Sequence, residues 1–598
     1  MASLLQVRVR ASAVILELLA VSSCTHIPVI GKGPHQMTQG FVGTTKNPQV
    51  ALYSITPRSP AEVRIQFGPD TSYGLQTWAR EADGHTPVSI LVAGMAAGAT
   101  YHMRATVRFA DGSSLCDVDH VFHTGPLPER MRDWQIRTYP RGPASIEPGL
   151  ELLDSSTGIK SQIAVTDLSG RILWWYEMPE RQTTKEIVSL RKRAHSLSRI
   201  AGWFGWQVHS GPPKDTVAAI AQREASTAMM TRVASASDLG IITPVKPLPN
   251  GDFLLLFGLS SQSLLSGPSP RGTFSILREI DLAGETVRQI TVQQLNRKLH
   301  DQGYHDLRLQ NFHHDVEVLP NGHWILIANQ FRPGSDPDQG ETDVFGDVLI
   351  DLDADLNPVW TWSSFDHLDI NRRPMWFPDW THSNAVVYTP DDRNLLLSMR
   401  HQSWIIKIDY RDGTGSGNVI WRLGAEGDFR LLNGRDPEDW QYAQHLPAIL
   451  GPRSAGVFRL TMVDNGDARL HEDGSRCVEP DASTSGTPCY TTIPIFEIDE
   501  NAMTAKILAR KVLPPEEYSN WGGGTVVLPD GRIEATLSSQ INDGKPGSRV
   551  LELTTDAPPK VVWQMETDTS IYRAQRIPSL YPGEQWSTFS LVSKDERP

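Results

Sequence analysis

The sequence predicts an all-β protein, a six-bladed β-propeller preceded by a small N-terminal β-sandwich. Three observations predict it. First, an apolar strand, a tight turn and a second apolar strand recur as one half-unit, in "PLPNGDFLLLFG", "VEVLPNGHWILIAN", "AVVYTPDDRNLLLSM" and "TVVLPDGRIEATLS". Second, another half-unit, a strand ending in Asp, a turn and a strand often ending in Trp, recurs six times, with Asp167, Asp281, Asp351, Asp409, Asp499 and Asp556. Two half-units make four antiparallel strands, which is one propeller blade, so six copies imply six blades. Third, the chain before these repeats reads as short alternating strands without them. Glycine (47), proline (42) and tryptophan (17) are plentiful, as a large turn-rich β protein requires.

From the N-terminus, "MASLLQVRVRASAVILELLAVSSC" reads as an export signal over residues 1–24. Arg8 and Arg10 precede the apolar stretch Ala11–Val21, which is too short for a bilayer anchor and ends in small residues. "VSSC" resembles a bacterial lipoprotein processing site, with Cys24 the lipidation candidate and simple cleavage the alternative. The expected location is therefore the periplasm, with a membrane tether through Cys24 if that residue is lipidated.

Residues 25–126 form the sandwich: "QVALYSITP", "EVRIQFG", "PVSILVAG", "TYHMRATVRFADGSS" and "DHVFHTG" have strand spacing and carry no chemical constellation. "TGPLPERMRDW" joins it to the propeller of residues 127–598. The Asn-Gly and Asp-Gly pairs of the repeats supply the positive φ of a tight hairpin. The wide gap from Asp167 to Asp281 holds an insertion, residues 181–238, which is helical by periodicity. If Cys24 is lipidated or removed, Cys116 is left alone, whereas Cys477 and Cys489 flank a short polar loop and in an exported protein are expected to form a disulfide. Neither has a CxxC partner for a metal.

The formal charge of −13 and the absence of a basic stripe argue against nucleic acid as a partner. No phosphate-cradling GxxxxGK[ST] loop occurs, and no cofactor or metal is expected. Polar residues at the ends of innermost propeller strands converge on the channel mouth from separate blades. Those placed so are His313, His314 and Asp315; His382 and Asn384; Arg400 and His401; His445; Tyr572 and Arg573. Singly, each has a plain reading as a satisfied strand-end residue. Together they suit either a metal site or the transfer of an anionic group. Neutral imidazole attacks sulfur or phosphorus, and Arg offers a planar fork to an oxyanion. Arg400 favours the second reading, because a cation is unwelcome beside a metal ion.

"HHDVEVLPNG", "DWTHSNAVVY…LLLSMRHQSWIIKID…VIW", "YAQHLP…LTMVDNGDARL" and "IYRAQRIP" resemble the bacterial PAPS-independent arylsulfate sulfotransferases, from about Ile146 to the C-terminus. The resemblance implies a periplasmic homodimer that moves a sulfuryl group from a phenolic sulfate ester to a phenol by a ping-pong route. His445 would become the sulfohistidine. Arg400, His314 and His382 would hold the sulfuryl oxygens and exchange the phenol proton. Asn384 and Tyr572 would bind substrate. His314 is preferred to His313 because it precedes the hairpin proline as the family's histidine does. The chain departs from the family in placing its disulfide cysteines after the nucleophile, and in the insertion at 181–238. The alternatives are a metal-dependent hydrolase on the same histidines and a non-catalytic binding propeller.

Overall fold

The structure, a computed structural model, describes residues 35–141, 146–155, 162–177, 241–258, 275–336, 340–454, 456–480, 485–542 and 544–586. The export signal of residues 1–24, Cys24 and the insertion at 181–238 lie outside them.

The described chain is mostly β, built of antiparallel sheets. Residues 41–123 form two of them. Three strands, Phe41–Thr44, Ala51–Ile55 and Val88–Val92, make one; a larger sheet around Ala61–Gly68 and Thr100–Phe109 makes the other. Side chains alternate buried and open along both long strands, as two sheets packed over one core require. This unit is fastened by the C-terminal segment. Tyr581 donates its hydroxyl to Leu91 O (2.9 Å) and accepts from Ala93 N (2.8 Å), while Arg64 and Gln76 both meet Glu584.

Six further sheets follow, each with a four-strand antiparallel meander. The first strands are Ile571–Ile577 (sheet 1), Ile241–Pro247 (sheet 2), Leu309–Val318 (sheet 3), Ser383–Thr389 (sheet 4), His445–Ser454 (sheet 5) and Gly524–Val527 (sheet 6). These strands contact their neighbours in one closed cycle. The chain ends interlock: Ile571–Ile577 pairs with Leu150–Ser155 in sheet 1, and Ile136–Pro140 adds an outer strand to sheet 6. Apolar clusters fill the space between each consecutive pair of sheets, including sheets 6 and 1. Tryptophans of the fourth strands bridge sheets: Trp174 donates to Leu282 O (2.7 Å), Trp362 to Gly417 O (2.9 Å) and Trp421 to Glu500 (2.9 Å). A buried indole adds a large apolar area, and its N–H needs such a partner.

Four of the six repeat aspartates close turns by accepting backbone N–H groups; in the sixth copy Thr554, not the expected Asp556, accepts a turn N–H, from Lys560 (3.0 Å). Asp167 takes Ser169 and Arg171, Asp281 takes Glu285, Asp409 takes Ser416 and Asp499 takes Asn501. The third repeat differs from the sequence reading. There Asp353 closes the turn, accepting from Asn357 N (2.8 Å), while Asp351 lies inside the strand and accepts from Tyr410 Oη. Sheets 5 and 1 lack the sequence-level first half-unit. The sheet 5 hairpin turns at "PRSAG", and the two inner strands of sheet 1 come from opposite ends of the chain.

One helix, Val292–Asp301, was not foreseen. Thr291 and Gln294 form its capping box, and Val292, Leu295 and Leu299 face the core. Asn296 exchanges two hydrogen bonds with the backbone of Leu309, fixing the start of the strand that carries His313 and His314. The Cys477–Cys489 disulfide is present; Cys116, expected to stand alone, is disulfide-bonded as well, so no described cysteine is free.

Candidate active site

The first strands of sheets 3, 4 and 5 each break their pairing near the start, between Phe312 and Val316, Ser383 and Ala385, and His445 and Ala448. Such bulges re-aim side chains that a regular ladder would send to alternate faces. His314 (φ 58°) and His382 (φ 46°) both take left-handed backbone. For a non-glycine residue this costs roughly 1–3 kcal/mol, a strain concentrated at functional sites.

His445 is buried, and its Nδ1 lies 2.7 Å from Asn465 Oδ1. The Asn465 amide nitrogen donates to Ser519 O (2.7 Å) and Gly522 O (3.1 Å), so the amide orientation is set and His445 Nδ1 carries the proton. Nε2 is left with the lone pair. Burial first, then the Arg400 charge, hold this imidazole well below its ordinary pKa, and therefore neutral. Gly522 adopts φ 67°, and a Cβ there would stand 2.6 Å from Ser538 Oγ, so the carbonyl that orients Asn465 depends on glycine.

His382 Nδ1 lies 2.5 Å from Asp379 Oδ2. Burial alone would raise the Asp379 pKa, but His382 and His401 outweigh it and hold the carboxylate ionised. An ionised carboxylate only accepts, so His382 also donates through Nδ1. His314 repeats the arrangement one step removed. Its Nδ1 is 2.7 Å from His313 Nδ1, and His313 Nε2 is 3.2 Å from Asp347 Oδ1, without a well-aligned hydrogen bond. Asp347 is itself held ionised: burial raises its pKa, while His313 and Ser383 lower it further. Burial, with His382 next, keeps His314 neutral.

The rings cluster. His314 and His382 have centroids 4.7 Å apart, His382 and His401 stack at 4.3 Å, and Tyr572 lies 5.9 Å from His314 and 6.1 Å from His445. Arg400 is buried and paired: Nη2 reaches Asp467 Oδ2 (2.6 Å) and Asn520 O (3.1 Å), and Nη1 reaches His401 Nε2 (2.8 Å). Its Nε–H has no partner, and the buried Tyr572 hydroxyl has none either. Two unspent donors beside the neutral imidazoles of His314 and His445 suit an oxyanion. Asp467 also accepts from Tyr518 Oη (2.5 Å), and burial pushes its pKa up to about 6 despite Arg400.

Among the sequence-selected residues, His314, His382, Arg400, His445 and Tyr572 gather here. His313 stands behind His314. Asn384 is fully buried, its amide donates to Gln444 O (2.7 Å), and its carbonyl accepts from Arg573. One of its two amide N–H groups thus holds the backbone that precedes His445; the carbonyl met by Arg573 is the backbone one, and the side-chain Oδ1 has no hydrogen-bond partner. Asp315 leaves the cluster: it accepts from Val386 N of sheet 4 and pairs with Arg573 and Lys246. Asp379, Asn465, Asp467 and Trp376 were not singled out. The first three lie inside the "DWTHSN" and "DNGDAR" motifs; a search for partners of each histidine among the motif residues would have raised Asp379 and Asn465, while Asp467 pairs with Arg400 from another motif.

Asp379, His382 and His401 offer ligand atoms within 4.8 Å of one another, a spacing a metal ion could use. The donor set fits poorly. His401 Nδ1 meets Asp379 O at 2.5 Å, so it donates there, and the Nε2 lone pair is taken by the Arg400 guanidinium. A ligand nitrogen facing a cation at 2.8 Å has no lone pair for another. Among the described residues no helix is long and apolar enough to cross a membrane.

The family model described as Arylsulfotransferase (ASST) matches residues 138–573, well over half of the chain. No curated protein matches. Among solved structures, the dihydro-heme d1 dehydrogenase NirN in complex with DHE aligns with 74% of this chain and 80% of its own, at 11% identity and a TM-score of 0.25.

Proposed function

Since the chain belongs to the arylsulfotransferase family, we propose that it moves a sulfuryl group from an aryl sulfate to a phenol through a sulfohistidine on His445, with no nucleotide donor. The observation that carries this reading is the hydrogen bond from His445 Nδ1 to an Asn465 oxygen whose amide is locked by two carbonyls. It leaves Nε2 as a neutral nucleophile in a buried setting.

In the first half-reaction the Nε2 lone pair forms the N–S bond and the S–O bond to the ring breaks. The leaving phenolate takes a proton from Nε2 of His382, the imidazole whose Nδ1 is bonded to Asp379 and whose ring stands 4.7 Å from that of His314. The Arg400 Nε–H and the Tyr572 hydroxyl donate to the sulfuryl oxygens, where negative charge gathers. In the second half-reaction a new phenol gives its proton back to His382 Nε2. Its oxygen attacks sulfur, the N–S bond breaks and His445 is restored. Burial of these groups limits hydrolysis of the intermediate.

The six sheets are read as blades of a closed propeller, whose axis gathers strand ends from distant sequence. The two-sheet unit is read as an N-terminal domain ending near residue 126. Export to the periplasm, a lipid on Cys24 and a homodimer belong to the same proposal and rest on the sequence.

The test is incubation with p-nitrophenyl sulfate, then mass mapping. A gain of SO3 on the His445 peptide is expected, absent in His445→Ala. Stable labelling of another residue would displace His445 as nucleophile. The closeness of Asp379, His382 and His401 supports a second reading, a metal-dependent hydrolase. It requires stoichiometric metal in the purified protein and loss of activity on chelation. Exchange that survives chelation excludes it, and a lack of exchange with any phenol would favour a binding protein.

A further inference from the structure

The cluster of histidines and Arg400 accounts for the sulfuryl group but leaves the aromatic ring it is attached to unassigned. An aryl donor or acceptor needs an apolar face within a ring's length of the transferred oxygen. Trp376 stands where such a face is required. It is 48% exposed, while most of the described tryptophans are buried. Its ring lies 5.0 Å from that of His401, which stacks on His382, and the Arg400 guanidinium sits 4.6 Å from its centroid.

The exposed indole is held firmly. It belongs to the loop of residues 368–382 that also delivers Asp379 and His382. That loop is anchored on both sides of Trp376. Trp380 Nε1 donates to Arg372 O (3.0 Å), Gln402 Nε2 to Trp380 O (2.7 Å) and Phe345 N to Pro378 O (2.9 Å). The Arg372 guanidinium lies 3.6 Å over the Trp404 ring. Leaving a fixed indole in water forgoes the gain of burying it, a gain realised if another ring covers it. The guanidinium covers part of one face and raises the ring's complementarity to an electron-rich phenol sulfate at the same spot.

We propose that Trp376 is the platform on which the aryl ring of both donor and acceptor rests, and that it sets the preference for larger aromatic acceptors. The proposal rests on the aryl-transfer reading above. It assigns Trp376 to ring recognition, whereas Arg400 and the histidines handle the sulfuryl group.

The test compares 1-naphthol with phenol as acceptors, p-nitrophenyl sulfate being the donor, in wild type, Trp376→Phe and Trp376→Ala. Both acceptors use the same machinery, so the ratio of their kcat/KM values cancels any shared disturbance of Arg400. The naphthol preference should fall about 3- to 10-fold in Trp376→Ala, the size of one aromatic contact, and recover partly in Trp376→Phe. The donor KM should rise in Trp376→Ala while the rate of His445 labelling at saturating donor holds. An unchanged acceptor ratio overturns the proposal. So does a slowed labelling rate with unchanged KM, which would make Trp376 a support for Arg400. If Trp376→Ala does not fold, Trp376→Phe and Trp376→Gln carry the same comparison. A wild-type protein that neither labels a histidine nor exchanges sulfate refutes the transferase reading itself, an outcome distinct from a transferase indifferent to Trp376.

Discussion

His445 Nδ1 and Asn465 Oδ1 lie 2.7 Å apart, and the two carbonyls that hold the Asn465 nitrogen leave the imidazole no other way to be protonated. The relationship sets which ring nitrogen is nucleophilic. Replacing Asn465 by Ala should slow His445 labelling about 10- to 100-fold, the usual effect of removing a group that orients a reactive imidazole. Asn465→Asp keeps an acceptor and should lose less. Rapid-quench labelling checks both; equal rates in Asn465→Ala and wild type would remove the role.

Asp379 plays the corresponding part for His382. Asp379→Asn preserves shape but presents an amide that can donate where only acceptance serves. The rate should fall by about 10² or more at neutral pH, as for comparable carboxylate–imidazole pairs. KM for the donor should change little, since Asp379 touches the base and not the substrate. Steady-state kinetics resolve the two parameters.

His401 is held to a pKa of about 3, by burial first and then by the His382 charge. Its unfolded value lies near 6.5. Between pH 6.5 and 3 the unfolded chain therefore binds the extra proton, and the stability His401 contributes is lost as pH falls through that window. His401→Gln should flatten the acid side of the stability curve by on the order of 1 kcal/mol per pH unit. Urea unfolding at pH 7, 6, 5 and 4 measures the difference. His314 and His445, also held neutral, act in the same direction. Asp467, raised to about 6, acts oppositely, losing stability as pH rises from about 4 to 6, so only the wild-type-minus-variant difference is diagnostic.

The Cys477–Cys489 bond closes a short loop just after Asp464–Arg469. Cys477 is buried, and Cys477 N donates to Arg469 O (2.9 Å). Replacing both cysteines by Ser should cost roughly 2–3 kcal/mol, the value for a loop of about this length. Activity at 25 °C should be retained, because the Asp464–Arg469 ion pair and the Asp467–Arg400 contact do not involve sulfur. Denaturant melts with and without reductant, alongside activity, test both halves.

Much was legible in the sequence. The six copies of the Asp-turn half-unit match the third and fourth strands of the six sheets, because a turn needs local chemistry that a few residues supply. The first half-unit was legible only in four sheets. In sheet 1 its strands, Leu150–Ser155 and Ile571–Ile577, are partners across almost the whole chain, and no local pattern announces such a pairing. The histidines and Arg400 were legible as strand-end residues of motifs. Their partners were not: Asp379 and Asn465 are ordinary polar residues in sequence and become directive only when the fold sets them at hydrogen-bond distance. Asp315 illustrates the converse, since beside two histidines it reads as a ligand, yet ion pairs to Arg573 and Lys246 claim it.

By itself, then, the sequence determined the strands, their turns and the kinds of side chain at their ends, since these depend on alternation and on neighbours a few residues away. Only the tertiary structure decided which nitrogen of each imidazole is free, which carboxylates serve them, and that Trp376 stands beside Arg400. Those outcomes depend on distances between sheets, and burial converts each such distance into a fixed protonation state.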